Sequence, residues 1–218
     1  MKQLLYVILA LGVSLSSLAQ DKIDEAILKS TQTMTSDNEQ MNAQFASMGE
    51  MSTTIYIKDK MTRTELSSPM TGTVVNIVDG NSNKMLMLMD NPMAGKIYKL
   101  NDINLTEEDK NNIEVTKGDQ TKTILGYECQ QYIMNIKKDG MDMKMNMYST
   151  DAINAFTPET AQFGELAEGF PLYMEVTMNQ MGANINITHE VTVIEKASVP
   201  DDKFNLTPPE GYKEAPQM

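Results

Sequence analysis

The chain has 218 residues, with 18 Lys and Arg against 30 Asp and Glu, a formal net charge of −12. A negative surface of that size repels phosphate backbones and anionic lipid, which excludes nucleic acid as an expected partner. With Cys129 as the single cysteine there is no internal disulfide, so stability must come from a packed core, one rich in methionine (20 residues) and lacking tryptophan.

Residues 1–19 read as a signal peptide: Lys2, an apolar run from Leu4 to Leu15, and the small-residue site Ser17-Leu18-Ala19. The run is shorter than the roughly 20 apolar residues that span a bilayer. No cysteine stands at the cleavage site. The expectation is an exported chain, periplasmic or secreted, without an integral membrane anchor. Residues 20–199 then form one domain, and the Pro-rich tail 200–218 wraps its outside.

The segment Asp21 to Ser30, with Ile23, Ile27 and Ser30 on one side, suggests a short helix. Ser36-Asp37-Asn38-Glu39 has capping-box spacing, and Met41, Phe45 and Met48 follow at helical intervals, which predicts a second helix. From Thr53 the pattern changes to strands. Thr53–Lys58 and Met61–Leu66 flank the turn Asp59-Lys60. Gly72–Val78 and Met85–Met89 flank Asp79 to Asn83, and Lys96–Leu100 follows Asn91-Pro92. Ile113–Lys117 and Thr121–Leu125 flank Gly118-Asp119 as a further expected turn.

Residues 140–149, GMDMKMNMYS, decide between helix and strand. On a helix the alternate methionines would be spread around the cylinder; on a strand they share one face, about 6.6–6.8 Å apart. Asp139-Gly140 is a two-residue hairpin signal. It places Ile136 opposite Met143, Met134 opposite Met145 and Tyr132 opposite Met147. A one-residue slip would bring the apolar stripe onto the polar face, so turn chemistry and patterning agree. Residues 151–169 read as a loop with a short helix near 158–167. A last hairpin, turning at Gly182-Ala183, would set Met178 opposite Ile187, Val176 opposite His189 and Met174 opposite Val191.

About ten short strands joined by tight turns imply a mainly β fold: a curved antiparallel sheet, half a barrel, with helices over its concave face. Two segments add a resemblance. IYIKDKMTRTEL at 55–66 and NIVDGNSNKMLML at 76–88 resemble the opening of the periplasmic lipoprotein-carrier (Lol-type) superfamily, with Arg63 where the carriers' strand arginine would fall. KTILGYECQQYIM at 122–134, with Gly126, Tyr127, Cys129 and Tyr132, is similar to an uncharacterised exported bacterial family marked by Gly-Tyr-x-Cys-x-x-Tyr and Met-x-Met strands. KFNLTPPEGY at 203–212 resembles that family's closing segment. The resemblance implies a curved half-barrel closed by helices over an apolar cavity.

The methionine stripes admit three readings. They are a core face, the lining of a cavity for an apolar ligand, or soft thioether ligands for Cu(I). Core comes first by weight, because sulfurs on alternate strand positions are too widely spaced for a metal cage. The residues expected to line any ligand site are Met85, Met87, Met89, Tyr132, Met134, Ile136, Met143, Met145, Met147, Met174 and Met178. Cys129 has no basic neighbour and reads as a buried, inert thiol. His189, alternating with Ile185, Ile187, Val191 and Val193, reads as a hydrogen-bonded core histidine. No catalytic constellation or cofactor motif is visible. The expected function is non-enzymatic binding of a lipid-like or other apolar ligand, with a Cu(I) carrier or a ligand-free envelope module as alternatives.

Overall fold

The computed structural model describes residues 22–216 apart from 69–71, 93–94, 104–110, 139–140, 158–162, 164–165 and 181. Among the described residues twelve strands and one α-helix follow in order, with a 3-10 turn at Asp201–Phe204 before the last strand: β1 (Glu25–Ser36), α1 (Glu39–Met48), β2 (Met51–Lys58), β3 (Met61–Ser68), β4 (Gly72–Asp79), β5 (Lys84–Asn91), β6 (Gly95–Asp102), β7 (Ile113–Ile124), β8 (Tyr127–Lys138), β9 (Met141–Thr150), β10 (Phe170–Gln180), β11 (Ala183–Glu195) and β12 (Lys213–Glu214). All twelve strands belong to one sheet in the order β12-β6-β5-β4-β3-β2-β1-β11-β10-β9-β8-β7. Neighbours run antiparallel except β12, which lies parallel to β6. The order has two ends, so the sheet is not closed into a barrel.

The Met hairpin has the register its sequence dictates. Ile136 faces Met143, Met134 faces Met145, Tyr132 faces Met147, and Lys138 pairs with Met141. The turn residues Asp139 and Gly140 themselves lie outside the described residues. The Asp59-Lys60 hairpin also holds, with Lys58 paired to Met61 and Asp59 at φ 51°.

Three sequence expectations are corrected. The segment 21–30 contributes no helix among the described residues; it begins β1, the strand that joins β2 to β11. Its alternation is Ala26, Leu28 and Ser30, all buried, and the strand pairing on both sides outweighs the helical spacing of Ile23 and Ile27. Gly118-Asp119 is a bulge within one long strand, not a turn. The register of β7 against β8 shifts between Lys117 and Thr121, and Gln130 Nε2 donates to Gly118 O at 2.7 Å. The turn lies instead at Leu125-Gly126, both in the left-handed region with φ of 50° and 85°, as the favoured two-residue hairpin requires. Last, Gln180 pairs with Ala183, so the final hairpin turns one residue earlier than expected. Met178 then faces Ile185, Val176 faces Ile187 and Met174 faces His189. This two-residue offset keeps every side chain on its face, so alternation could not detect it. Gly182, at φ +80°, takes the turn position, while Ala183 is buried in the strand.

α1 forms where the spacing placed it, but its cap is Asn38, whose side chain accepts from Met41 N at 3.0 Å. Ser36 Oγ instead accepts from Asn38 N. The helix lies against β1 and fully buries none of its residues. The helix expected near 158–167 falls largely outside the described residues. Of that stretch, Phe163 is completely buried and Ala167 nearly so.

The tail docks on one face of the β2–β6 half. Val199 and Phe204 are buried against Val75, Ile77, Leu86 and Leu88. Around them Lys58 pairs with Asp201 and Glu25, Arg63 Nη1 donates to Lys203 O at 3.1 Å, and Lys203 Nζ stands 4.3 Å from the centre of the Tyr56 ring. Arg63 also pairs with Glu65 at 2.6 Å. In this structure the single arginine therefore fastens the tail.

Candidate functional site

The face opposite the tail carries Thr62, Thr64, Asn76 and their cross-strand neighbours. There the sheet encloses a partly open cavity of about 290 Å³, lined from β4 at one side to β9 at the other. Those strands stand six places apart in the sheet order, so a flat sheet would separate them by about 29 Å. A sphere of the cavity's volume is roughly 8 Å across. Only strong curling brings both walls to one space, so this face is the concave one.

The connection between β9 and β10 completes the wall. Ile23 and Ile153 form a parallel bridge, which anchors the connection to the start of the chain. Thr62 Oγ1 donates to Phe156 O at 2.8 Å. Gly80 lies so close that a Cβ there would stand 2.9 Å from Phe156 Cβ. Thr157, Phe170 and Pro171 then reach the cavity itself.

The lining has two characters. Met145, Met174, Val176, Ile187 and Phe170 give one apolar wall, and Ile55, Leu66 and Val74 continue it on the other half. Between them Gln32, Thr53, Thr62, Thr64, Asn76 and His189 supply polar groups. His189 Nε2 and Ser30 Oγ are 2.8 Å apart, a spacing that a nucleophile and its base would share. Ser30, however, is 1% exposed and is not part of the cavity wall. No substrate atom could approach it, and the pair works as a hydrogen bond joining β1 to β11.

The structure disperses the methionines expected to line a site. Tyr132, Met134, Ile136 and Met147 are buried with Phe163 and Ala167 in a closed cluster. Met145 and Met174 belong to that cluster and also face the cavity. Met143 and Met178 line a separate shallow hollow beside Lys137, Asp142 and Lys144. Met85, Met87 and Met89 are half-buried on β5, and Met87 pairs with Asn76 just beyond the cavity wall. The polar lining residues were missed. Their signal was there in β3, where Thr62, Thr64 and Leu66 alternate with Met61, Arg63 and Glu65. On the cavity side of this strand Thr62 and Thr64 are polar where a core face would be apolar.

Two other groups stand apart from the cavity. Cys129 is fully buried, and burial pushes its thiol up to about 11, far from a reactive thiolate. Lys122 Nζ stands 4.8 and 4.2 Å from the ring centres of Tyr148 and Tyr173. Burial, and then the hydrogen bond to Glu175, push the Tyr173 phenol up to about 12.

Residues 38–212 match the family described as Domain of unknown function (DUF4412). The chain belongs to this family. The signature Gly126, Tyr127, Cys129 and Tyr132 has a structural account in this DUF4412 chain. Gly126 closes the β7–β8 turn, Cys129 packs with Ile124, Tyr148 and Phe170, and Tyr132 lies among the buried methionines on the other side of the strand. Among solved structures, PNGF-II is similar in two crystal forms, at 12% identity and TM-scores of 0.49 and 0.48. Each match covers 87% of this chain but only 31% and 32% of PNGF-II, so the chain spans about a third of that protein's length. The lipoprotein LppX of Mycobacterium tuberculosis is similar at 7% identity and a TM-score of 0.29, over 82% of this chain and 90% of LppX. No curated protein matches. Among the described residues no helix is long and apolar enough to cross a membrane.

Proposed function

We propose that this DUF4412 protein is an exported, non-catalytic binding protein that takes a small apolar or amphiphilic ligand into the concave-face cavity. The observation that carries this reading is the cavity itself, a space with apolar walls and a few convergent polar groups at the inner bend of the sheet. The leader-like residues 1–19 support export. The buried position of Ser30 supports binding over hydrolysis.

Size limits the ligand. A cavity of about 150 Å³ holds benzene, so about 290 Å³ holds on the order of a dozen non-hydrogen atoms. A whole diacyl lipid does not fit; one short chain or a small ring system does.

The test is saturable binding of N-phenyl-1-naphthylamine, a neutral apolar dye, followed by its fluorescence. Native protein should give one-to-one enhancement. Ile187→Trp should abolish it while the far-ultraviolet circular dichroism stays unchanged. Enhancement that does not saturate, or that survives the substitution, would refute the reading. Mass spectrometry of an organic extract of protein purified from its own host would then identify the natural occupant.

A further inference from the structure

Resting on that cavity as a binding site, we infer that the part of the ligand held inside it is uncharged and hydrogen-bonding. The class is a neutral amphiphile, such as an alcohol, amide or ester, and not a carboxylate or an ammonium.

The chain carries 18 basic and 30 acidic residues in 218, yet among the described residues no Asp, Glu, Lys or Arg lines the cavity. This is a consequence of register. On β3 the charged pair Arg63 and Glu65 points to the tail side and is occupied there with Lys203. The alternating positions Thr62, Thr64 and Leu66 point inward. An ion entering the cavity would lose its water and meet no opposite charge among the described residues, the situation in which buried charges are most strongly disfavoured.

The cavity is nevertheless not simply greasy. Thr62 gives its hydroxyl to Phe156 O, and His189 is engaged with Ser30. Gln32, Thr53, Thr64 and Asn76 differ from these. Among the described residues their side chains make no hydrogen bond to protein. Thr64 and Asn76 are direct cross-strand partners, so a hydroxyl and a carboxamide sit side by side with both donors and acceptors to offer. Facing them across the space are Met145, Val176 and Ile187, which form one continuous cross-strand row. A molecule with an apolar end and a neutral polar end satisfies both walls. A pure hydrocarbon leaves the polar groups unmatched, and an ion leaves itself unmatched.

The experiment is displacement of N-phenyl-1-naphthylamine from the full chain by four ten-carbon compounds: 1-decanol, decanamide, decanoate and decylammonium. All are compared at pH 7.5 and about 0.15 M salt, where the Debye length is about 8 Å. Including both ions separates the cavity from the overall negative charge, which would favour the ammonium and disfavour the carboxylate. Decanol and decanamide should compete at least tenfold more strongly than either ion. Thr64→Val should weaken both neutral compounds at least threefold more than it weakens the dye. Asn76→Lys should reverse the order in favour of decanoate. An ion that competes within threefold of decanol, or an Asn76→Lys variant whose preference does not change, would overturn the inference and leave the cavity a binding site. A dye that does not bind at all would instead remove the proposed function beneath it.

Discussion

Replacing Met147 by Asp gives the sharpest contrast between a methionine stripe that is core and one that is functional surface. Met147 is fully buried, paired with Tyr132 on one side and Met174 on the other, under Phe163. Losing the buried thioether costs about 1.5–3 kcal/mol. An unpartnered buried carboxyl is raised by about 3–5 pK units, so at pH 7 the folded group is largely protonated. The penalty is then limited to the roughly 3 units between the unfolded pKa near about 3.9 and pH 7, or about 4 kcal/mol at about 1.36 kcal/mol per unit. The sum approaches the whole stability of an ordinary domain, about 5–15 kcal/mol. Lys144→Asp, on the exposed side of the same strand, should change stability by less than about 0.5 kcal/mol. Met145→Asp should fall between them, since Met145 borders the cavity and its substitute can keep some water. Urea denaturation of the variants at pH 7 measures the differences. The pH dependence has a definite sign. The folded pKa is raised, so the electrostatic penalty is complete above it and disappears as the pH drops below the unfolded value near about 3.9. Met147→Asp should therefore converge on Met147→Asn in acid. A Met147→Asp protein as stable as Lys144→Asp at pH 7 would refute the buried placement of the stripe.

Phe204→Ala should destabilise by about 3–5 kcal/mol in chemical denaturation, because Phe204 fills the face formed by Val75, Ile77, Leu86 and Leu88. Glu25 accepts a 2.6 Å hydrogen bond from Val199 N, and that bond, with help from Ser198 and Lys58, holds its carboxyl below the usual range. Its contribution is present above the unfolded pKa and is lost as the pH falls through the lower folded one. Amide exchange at Val199 should therefore accelerate in acid, an effect absent from Glu25→Gln. Gly72→Ala should cost more than about 1 kcal/mol in the same denaturation assay, since Gly72 has φ +80° and a Cβ would stand 2.0 Å from Asp90 O. Native Cys129 should resist a thiol reagent such as dithionitrobenzoate and react at once in denaturant.

Local chemistry was legible where a turn and a stripe reinforced each other. Asp139-Gly140 with four alternating methionines specified a register to the residue, and Asp59-Lys60 did the same with less help. It was misread where one of the two was missing. Gly118-Asp119 looks like a turn, but the long pairing of β7 with β8 absorbs it as a bulge. The segment Asp21 to Ser30 looks helical because β2 and β11, the strands that pair with β1, are not adjacent to it in sequence. The alternation of His189 with Val191 and Val193 runs on past a register shift on β1 between Lys29 and Ser30, after which Val193 is exposed. The cavity was the least legible feature. Stripes of methionine announce burial, but whether a buried side chain meets Phe163 or an open space depends on where the connection 151–169 lies. No periodicity encodes that.

The position of β1 has a consequence for how the chain comes together in time. β2–β6 is one run of adjacent hairpins and β7–β11 another, and in the sheet the two are joined through β1. Leu28 pairs with Ile194, so the seam joins the first strand to the last long one. Closing a loop of some 160 residues costs about 4–5 kcal/mol in chain entropy before any contact repays it. Each half can assemble from local turns, but the seam, and with it the bend that creates the cavity, has to wait until residues near 195 exist. Long-range pairing of this kind is slow. Refolding should show a fast phase for the hairpins and a slow one for the cavity, and a chain passing through a membrane channel from its N-terminus would stay open until its last strands had followed.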